Sequence, residues 1–486
     1  MSNPQKKDTN LLLGVIPSKL CKPEQVARWC EGGVTPTYRL QRKPTDLAEF
    51  YQYNCRMTIW RDNGTLTYLS PCESNDRPNH ERYLSMRFFC EGPIFHITGT
   101  TDKAISKTAA FFMTLERTAQ EKPFIYMESY SLFYQLHAVG SRCFTNIFKT
   151  APSRLVEFEN ISLTVKQTIA LATRSHPIKL GFWECEFEDG GTAFVEALER
   201  RKSSFGSLRF TNNTGFSDDN LKRLLQLDVI DYLELPPLSE ELVFLPFSTK
   251  VGHLEYEIKT PFLSQSKVES LNIVPKKLSL SMTDHSIDFF PTEPVLRLLR
   301  RIAEVGHFAE LGFKFSFVAA KSDVPLCVVQ EVLQASFSSC NLKVIDLSSG
   351  HDFIDWYPNM EFLFQGLKEH KSLRTLKVTD HMMGYFGPDF YHLRRLLSQN
   401  RYITVTNEYG EIHTDGMHID KLYALNRFYR GSLDLALTPL QDRSSLVATA
   451  LAKSALANFH RTALLLADHT DTLYDLLYCA RIFFEA

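Results

Sequence analysis

Charge of one sign is the first thing this chain lacks. Its 54 basic and 56 acidic side chains nearly cancel, leaving a formal charge of −2 over 486 residues. Binding to a phosphate backbone draws on a clustered basic excess, so nucleic acid is not expected as the main partner. No apolar run reaches the roughly 18 residues that a spanning helix needs, and no membrane role is expected. The N-terminal apolar stretch from Leu11 to Ile16 is too short for a signal-peptide core. Cysteine is unpatterned as well as sparse: among 10 thiols no CxxC occurs. Without a secretion signal, that usage reads as reduced, mostly buried thiols in a cytoplasmic or nuclear compartment. Nucleotide and hydrolase signatures are also missing. The sequence holds no GxxxxGK[ST], no GxGxxG after a strand, no HExxH and no GxSxG, so no cofactor is expected.

What is present is a repeat. Apolar residues make up 44% of the chain and charged residues 23%, the balance of a folded protein. A pattern apolar-x-x-apolar-x-apolar recurs at Phe205-Leu208-Phe210, Ile230-Leu233-Leu235, Val251-Leu254-Tyr256 and Val268-Leu271-Ile273. It continues at Phe308-Leu311-Phe313, Leu342-Ile345-Leu347 and Leu373-Leu376-Val378, with weaker copies at Leu155-Phe158 and Leu180-Phe182. Tyr402–Val405 closes the series. The central residues are spaced unevenly, which implies insertions, or a skipped strand near Leu278-Ser-Leu280. Between the strands lie stripes of helical period: Phe194 and Leu198; Leu221, Leu224 and Leu225; Val295, Leu298, Leu299 and Ile302; Met360, Leu363, Phe364 and Leu367. Ser217, Thr292-Glu-Pro294 and Asp323 before Pro325 read as helix starts. A strand and a helix that each have one apolar face cannot bury it alone, and stacking such units makes one continuous core.

The flanks differ from this middle. Residues 1–125 read as a β-rich region or N-terminal cap. Asn63-Gly64 is placed to form a type I′ hairpin turn, and Tyr83 to Thr98 reads as further strand. Residues 411–486 read as a helical C-terminal cap, with Thr438-Pro-Leu-Gln441 as a capping box.

Residues 150–410 resemble the leucine-rich-repeat superfamily, in its ribonuclease-inhibitor-like form with irregular repeats. The resemblance implies an α/β solenoid, or horseshoe, with a parallel concave sheet and a helical convex side. The family carries Asn or Cys three residues after the last strand position. Cys185 and Asn213 occupy it here, whereas Leu238, Lys259, Lys276, Ser316, Gly350 and His381 stand at the other copies. The segments Leu425–Tyr429 and His469–Leu473 are similar to the tail of uncharacterised algal repeat proteins.

Two polar clusters are candidates for chemistry. His413, Asp415, His418 and Asp420 lie within eight residues, but the histidines are five apart, off the spacing that shares a helix face. They read as a polar loop, with no metal expected. His469 between Asp468 and Asp471 reads as helix-start chemistry. The stronger candidate is a surface. Alternation sends the residues between the apolar positions to the open side of the sheet. These are Trp183, Arg209, Tyr232, Glu234, His253, Glu255, Glu257, Asn272, Lys314, Asp346 and Lys377. The acidic centre at Glu234, Glu255 and Glu257, with Trp183 and Tyr232 beside it, suits a protein partner with a basic surface. The expected function is a non-enzymatic protein–protein interaction scaffold. An adaptor or substrate receptor for a ubiquitin ligase, and an enzyme with its site in the N-terminal region, remain alternatives. Oligomeric state is left open.

Overall fold

The computed structural model describes residues 11–51, 53, 56–72, 76–88, 92–115, 124–130, 134–136, 139–140, 144, 155–284, 289–317, 323–348, 354, 356–379, 386–436, 443, 447–448, 451 and 459–474. The chain is mixed α/β with a large, mostly parallel sheet, and it divides into two compact units, Met1–Glu257 and Ile258–Ala486. No described helix is long and apolar enough to cross a membrane.

The first unit begins with β1 (Leu13–Val15), β2 (Thr37–Leu40), β3 (Met57–Arg61), β4 (Thr65–Ser70), β5 (Leu84–Arg87) and β6 (Ile94–Gly99). Helix α1 (Asp102–Met113) follows, then β7 (Phe124–Ser129). β1 pairs antiparallel with β2 and β2 parallel with β3. The order then runs β3, β4, β6, β5, β7 through antiparallel pairs. From β7 onward every pair is parallel. β8 (Leu155–Glu159), β9 (Ile178–Trp183), β10 (Gly206–Thr211), β11 (Ile230–Leu235) and β12 (His253–Lys259) add in chain order. Parallel neighbours need a crossover. Here α2 (Val165–Ala172), α3 (Thr192–Glu199) and α4 (Asp218–Leu225) supply it. The expected stripes do the packing: Phe194, Leu198, Leu221, Leu224 and Leu225 are all buried. Strand registers place Phe158, Phe182 and Phe210 in one row, and their rings stack at 6.0 and 5.8 Å. Burying each such ring contributes about 1.5–3 kcal/mol.

The second unit repeats strand and helix: β13 (Lys277–Asp284), α5 (Thr292–Val305), β14 (Glu310–Phe317), α6 (Leu326–Ser338), β15 (Val344–Leu347), α7 (Met360–Leu367), β16 (Thr375–Val378), α8 (Tyr391–Gln399) and β17 (Thr404–Thr406). All its consecutive strand pairs are parallel. Helices α9 (His418–Ala436) and α10 (Phe459–Asp468) follow, and α9 packs against both α8 and α10.

The helix ends of this unit are closed from outside. The His370 ring contacts the Ser336 carbonyl at the end of α6 at 3.1 Å, and its Nδ1 accepts from the Leu373 amide. Asn400 donates to the carbonyls of Leu367, the last residue of α7, and of His370 just beyond it. Asn426 donates to the Leu397 carbonyl in α8. The last carbonyls of a helix have no partner within it, so each unit's side chain completes the one before.

Several local expectations need correction. Val268-Leu271-Ile273 is not a strand: Ser266–Ser270 is a 3₁₀ helix, and the strand at this step is β13. Pro261 and Pro275 flank the stretch, and Pro lacks the amide a ladder requires. The Asn63-Gly64 turn is not type I′. Arg61 pairs with Thr65 across a three-residue loop, and only Gly64 in it has positive φ, at 86°. Thr292 does not cap α5, which starts after Pro291, and α6 starts after Pro325 with no side-chain cap. Ser217 does cap α4, accepting from the Asn220 amide. The Thr438–Gln441 capping box lies outside the described residues.

Candidate functional site

The site is built from strand register. Residues paired across β5, β7, β8, β9, β10, β11 and β12 form one row on the face away from α2–α4: Arg87, Tyr126, Glu157, Gly181, Arg209, Glu234 and Glu255. Trp183 stands one row further along, paired with Glu159 and Thr211, and is 43% exposed. Alternation explains why these side chains face outward: the neighbours Val156, Phe158, Leu180, Phe182, Leu208 and Leu233 are buried on the opposite face.

Arg209 is the hub. Its Nε donates to Glu234 Oε2 at 2.6 Å, its Nη1 lies 3.6 Å from Glu157 Oε1, and its guanidinium sits 5.6 Å from the Tyr232 ring centre. Burial pulls the guanidinium's pKa down, but Glu234 and Tyr232 outweigh that and hold it above the ordinary value. The Tyr232 hydroxyl lies 2.7 Å from Glu255 Oε2 and 3.0 Å from Glu234 Oε2, and donates to them. Burial and those carboxylates push the phenol's pKa up. His253 meets the Tyr232 ring edge-on at 4.9 Å.

The other end of the row is aromatic and charged. Tyr126 donates its hydroxyl to Glu159, and Arg87 lies 5.4 Å from the ring centres of both Phe124 and Tyr126. Burial raises the Glu157 carboxyl against the pull of Arg209, and Glu234 adds to the rise. Burial also raises Glu128, with Glu159 adding to it. Carboxyls raised in this way mark a place where added positive charge is welcome.

Between Glu157 and Arg209 the row carries Gly181, and the Glu157 side chain lies across it, its Cγ 2.9 Å from where a Cβ would stand. A trough of about 340 Å³ runs along this stretch, lined by the row from Arg87 to Glu234 and by Trp183 and Thr211. Arg87 falls within residues 1–125, which the sequence marks as a β-rich region or cap, while Tyr126 lies just beyond them and neither it nor Gly181 is among the expected face positions. The signal was present in Phe124-Ile-Tyr-Met-Glu-Ser129, whose alternate residues Ile125 and Met127 are buried like those of the repeats.

Glu257 lies on β12 in the first unit, two residues beyond Glu255, and the other remaining positions lie in the second unit. Lys377 pairs with Asp346 at 3.2 Å, and Lys314 on β14 lies opposite Ser281 on β13. Asn272 is not on the sheet at all, because its segment is the 3₁₀ turn and coil before β13.

The polar clusters have structural occupations. The His413 ring contacts the Val378 carbonyl at 3.0 Å, Asp415 accepts from the Met417 and Ile419 amides to start α9, and Asp420 bonds Thr414. Asp471 pairs with Arg443 at 2.8 Å. Among the described residues no three His, Cys, Asp or Glu side chains converge as a metal set. Cys185 is buried, and its Sγ donates to the Phe158 and Trp183 carbonyls; burial pushes its pKa to about 12. Asn213, the other residue at that repeat position, is exposed, and its amide donates to the Thr211 carbonyl. No protein-family model matches this chain, and no curated protein matches its sequence.

Proposed function

We propose that the protein is a leucine-rich-repeat solenoid whose open sheet face binds a protein partner, and that it carries out no chemistry of its own. The observation that carries this reading is the register-built row on the first unit. Glu157 and Glu234 share Arg209, the Tyr232 hydroxyl joins Glu234 to Glu255, and exposed Trp183 stands beside them. Trp is among the commonest energetic anchors of interfaces. Surplus carboxylate in a partly desolvated face favours a partner with a basic surface. The repeated strand-and-helix units, each closing the helix of the one before, support a stacked array.

The test is a pull-down from native lysate with the intact chain and with a variant carrying Trp183→Ala, Tyr232→Ala and Glu255→Lys, its fold checked by circular dichroism. A partner held by the intact chain and lost by the variant supports the reading. Identical partners on both place the interface elsewhere and sink it.

A further inference from the structure

The Asn63-Gly64 pair plays no part in the candidate site and carries chemistry of its own. An Asn side chain followed by Gly is open to attack by the next amide nitrogen, because no Cβ crowds the approach. Asn63 is exposed and lines a hollow of about 260 Å³ with Arg39, Trp60 and Arg61, so water has access to it. Against that, both reacting groups are held. The Gly64 amide donates to the Arg61 carbonyl at 3.0 Å. Asn63 Nδ2 donates to the Ala104 carbonyl at 3.2 Å and to Thr108 Oγ1 at 2.9 Å, both in α1. Thr65 Oγ1 donates to Asn63 Oδ1 at 2.8 Å. Thr65 and Thr108 are fully buried, and their hydroxyls lie 2.8 Å apart. A hydroxyl has one proton, and that of Thr65 points to Asn63, so Thr108 donates to Thr65. Asn63, Thr108 and Thr65 thus close a ring of donors and acceptors whose members polarise one another.

We propose that Asn63 is a non-enzymatic modification site, and that the threonine ring and α1 hold it unreacted. In the reaction the Gly64 nitrogen bonds to Asn63 Cγ and loses its proton. The Cγ–Nδ2 bond breaks, and Nδ2 leaves as ammonia. Water then adds to either carbonyl of the cyclic imide, which opens to aspartate or isoaspartate. No oxidant or reductant is involved. The product cannot remake the old contacts. A carboxylate has no proton to give, so Ala104 and Thr108 both lose their donor. Isoaspartate also adds one carbon to the main chain, within the three-residue loop that joins Arg61 to Thr65. The hairpin of β3 and β4 is therefore a one-way latch, fastened to α1 by an amide and released from it by conversion.

The experiment incubates the full chain in mildly alkaline buffer made with oxygen-18 water, folded and in urea. Digestion in ordinary water and fragment-ion masses then show how much heavy oxygen sits at residue 63. The expected result is ready conversion in urea and conversion about tenfold or more slower in the folded chain. Thr108→Val keeps the shape and removes the hydroxyl. It should speed the folded-state reaction several-fold and leave the rate in urea unchanged, while Thr108→Ser restores protection. Circular dichroism at the incubation temperature checks that each variant is folded. Asn63→Asp, the product made genetically, should melt below the parent. Equal rates in the folded and unfolded chain overturn the proposal, and so does an absence of conversion in urea. A folded Thr108→Val that reacts no faster than the parent removes the ring from it, and an Asn63→Asp variant as stable as the parent removes the latch. The comparison of folded chain with urea needs no substitution, so it decides the site even where a variant fails to fold.

Discussion

His96 lies between two serines, 2.9 Å from Ser70 Oγ and 2.8 Å from Ser85 Oγ, under the edge of the Tyr83 ring. Burial lowers its pKa from 6.5 to about 4, and Arg77 adds to the fall. A depressed folded-state pKa contributes stability that is complete above the unfolded value and is lost as pH falls toward the folded one. Stability should therefore decline between pH 6.5 and about 4, by up to roughly 3 kcal/mol. His96→Asn should flatten that part of the curve. Urea midpoints measured across the range check it, and an unchanged slope in the variant would assign the decline to other groups. Gly206 is the second decisive residue. Its φ is +100°, and a Cβ there would lie 2.3 Å from the Ile178 carbonyl oxygen, at the bulge where β10 shifts register against β11. Gly206→Ala should cost more than about 2 kcal/mol, read as a drop in thermal midpoint.

Among elements, the helix closures carry a prediction of their own. Asn400→Leu leaves the Leu367 and His370 carbonyls without their side-chain donor in a buried setting, at a cost of about 1–3 kcal/mol. Equilibrium denaturation measures it, and a neutral result would mean that water takes over both acceptors. Most elements were legible in sequence because the periodicities are strong. Leu221, Leu224 and Leu225, or Met360, Leu363, Phe364 and Leu367, are buried as their spacing requires. The strand expected at Val268–Ile273 was not legible, since its apolar residues are buried just as strand residues would be and periodicity does not report prolines. The helix closures escaped for another reason. His370, Asn400 and Asn426 bond carbonyls about 30 residues away, and nothing local marks a long-range acceptor. In the candidate site, Trp183, Arg209, Tyr232, Glu234 and Glu255 were legible by alternation. The place of Gly181 was not, because a glycine under the Glu157 side chain shows its use only beside that cross-strand neighbour.

At the scale of the whole chain, the two units present different charge patterns. The row on the first unit groups carboxylates around Arg209, whereas the second unit pairs Lys277 with Glu310 at 2.5 Å and Lys377 with Asp346. Partner capture should thus weaken as salt rises and be abolished by Glu255→Lys, while Asp346→Lys leaves it intact. Capture measured at graded ionic strength checks both, and loss in Asp346→Lys would move the interface. The buried Cys185 has a further use. With its thiol held protonated by burial and tied to two carbonyls of neighbouring strands, an alkylating reagent can mark it only during moments when that part of the ladder has parted. Exposed Cys30, Cys327 and Cys340 would be consumed at once. The slow adduct at Cys185, resolved by peptide mass, would time how often the floor beneath Trp183 opens and would register a seated partner as a slower clock.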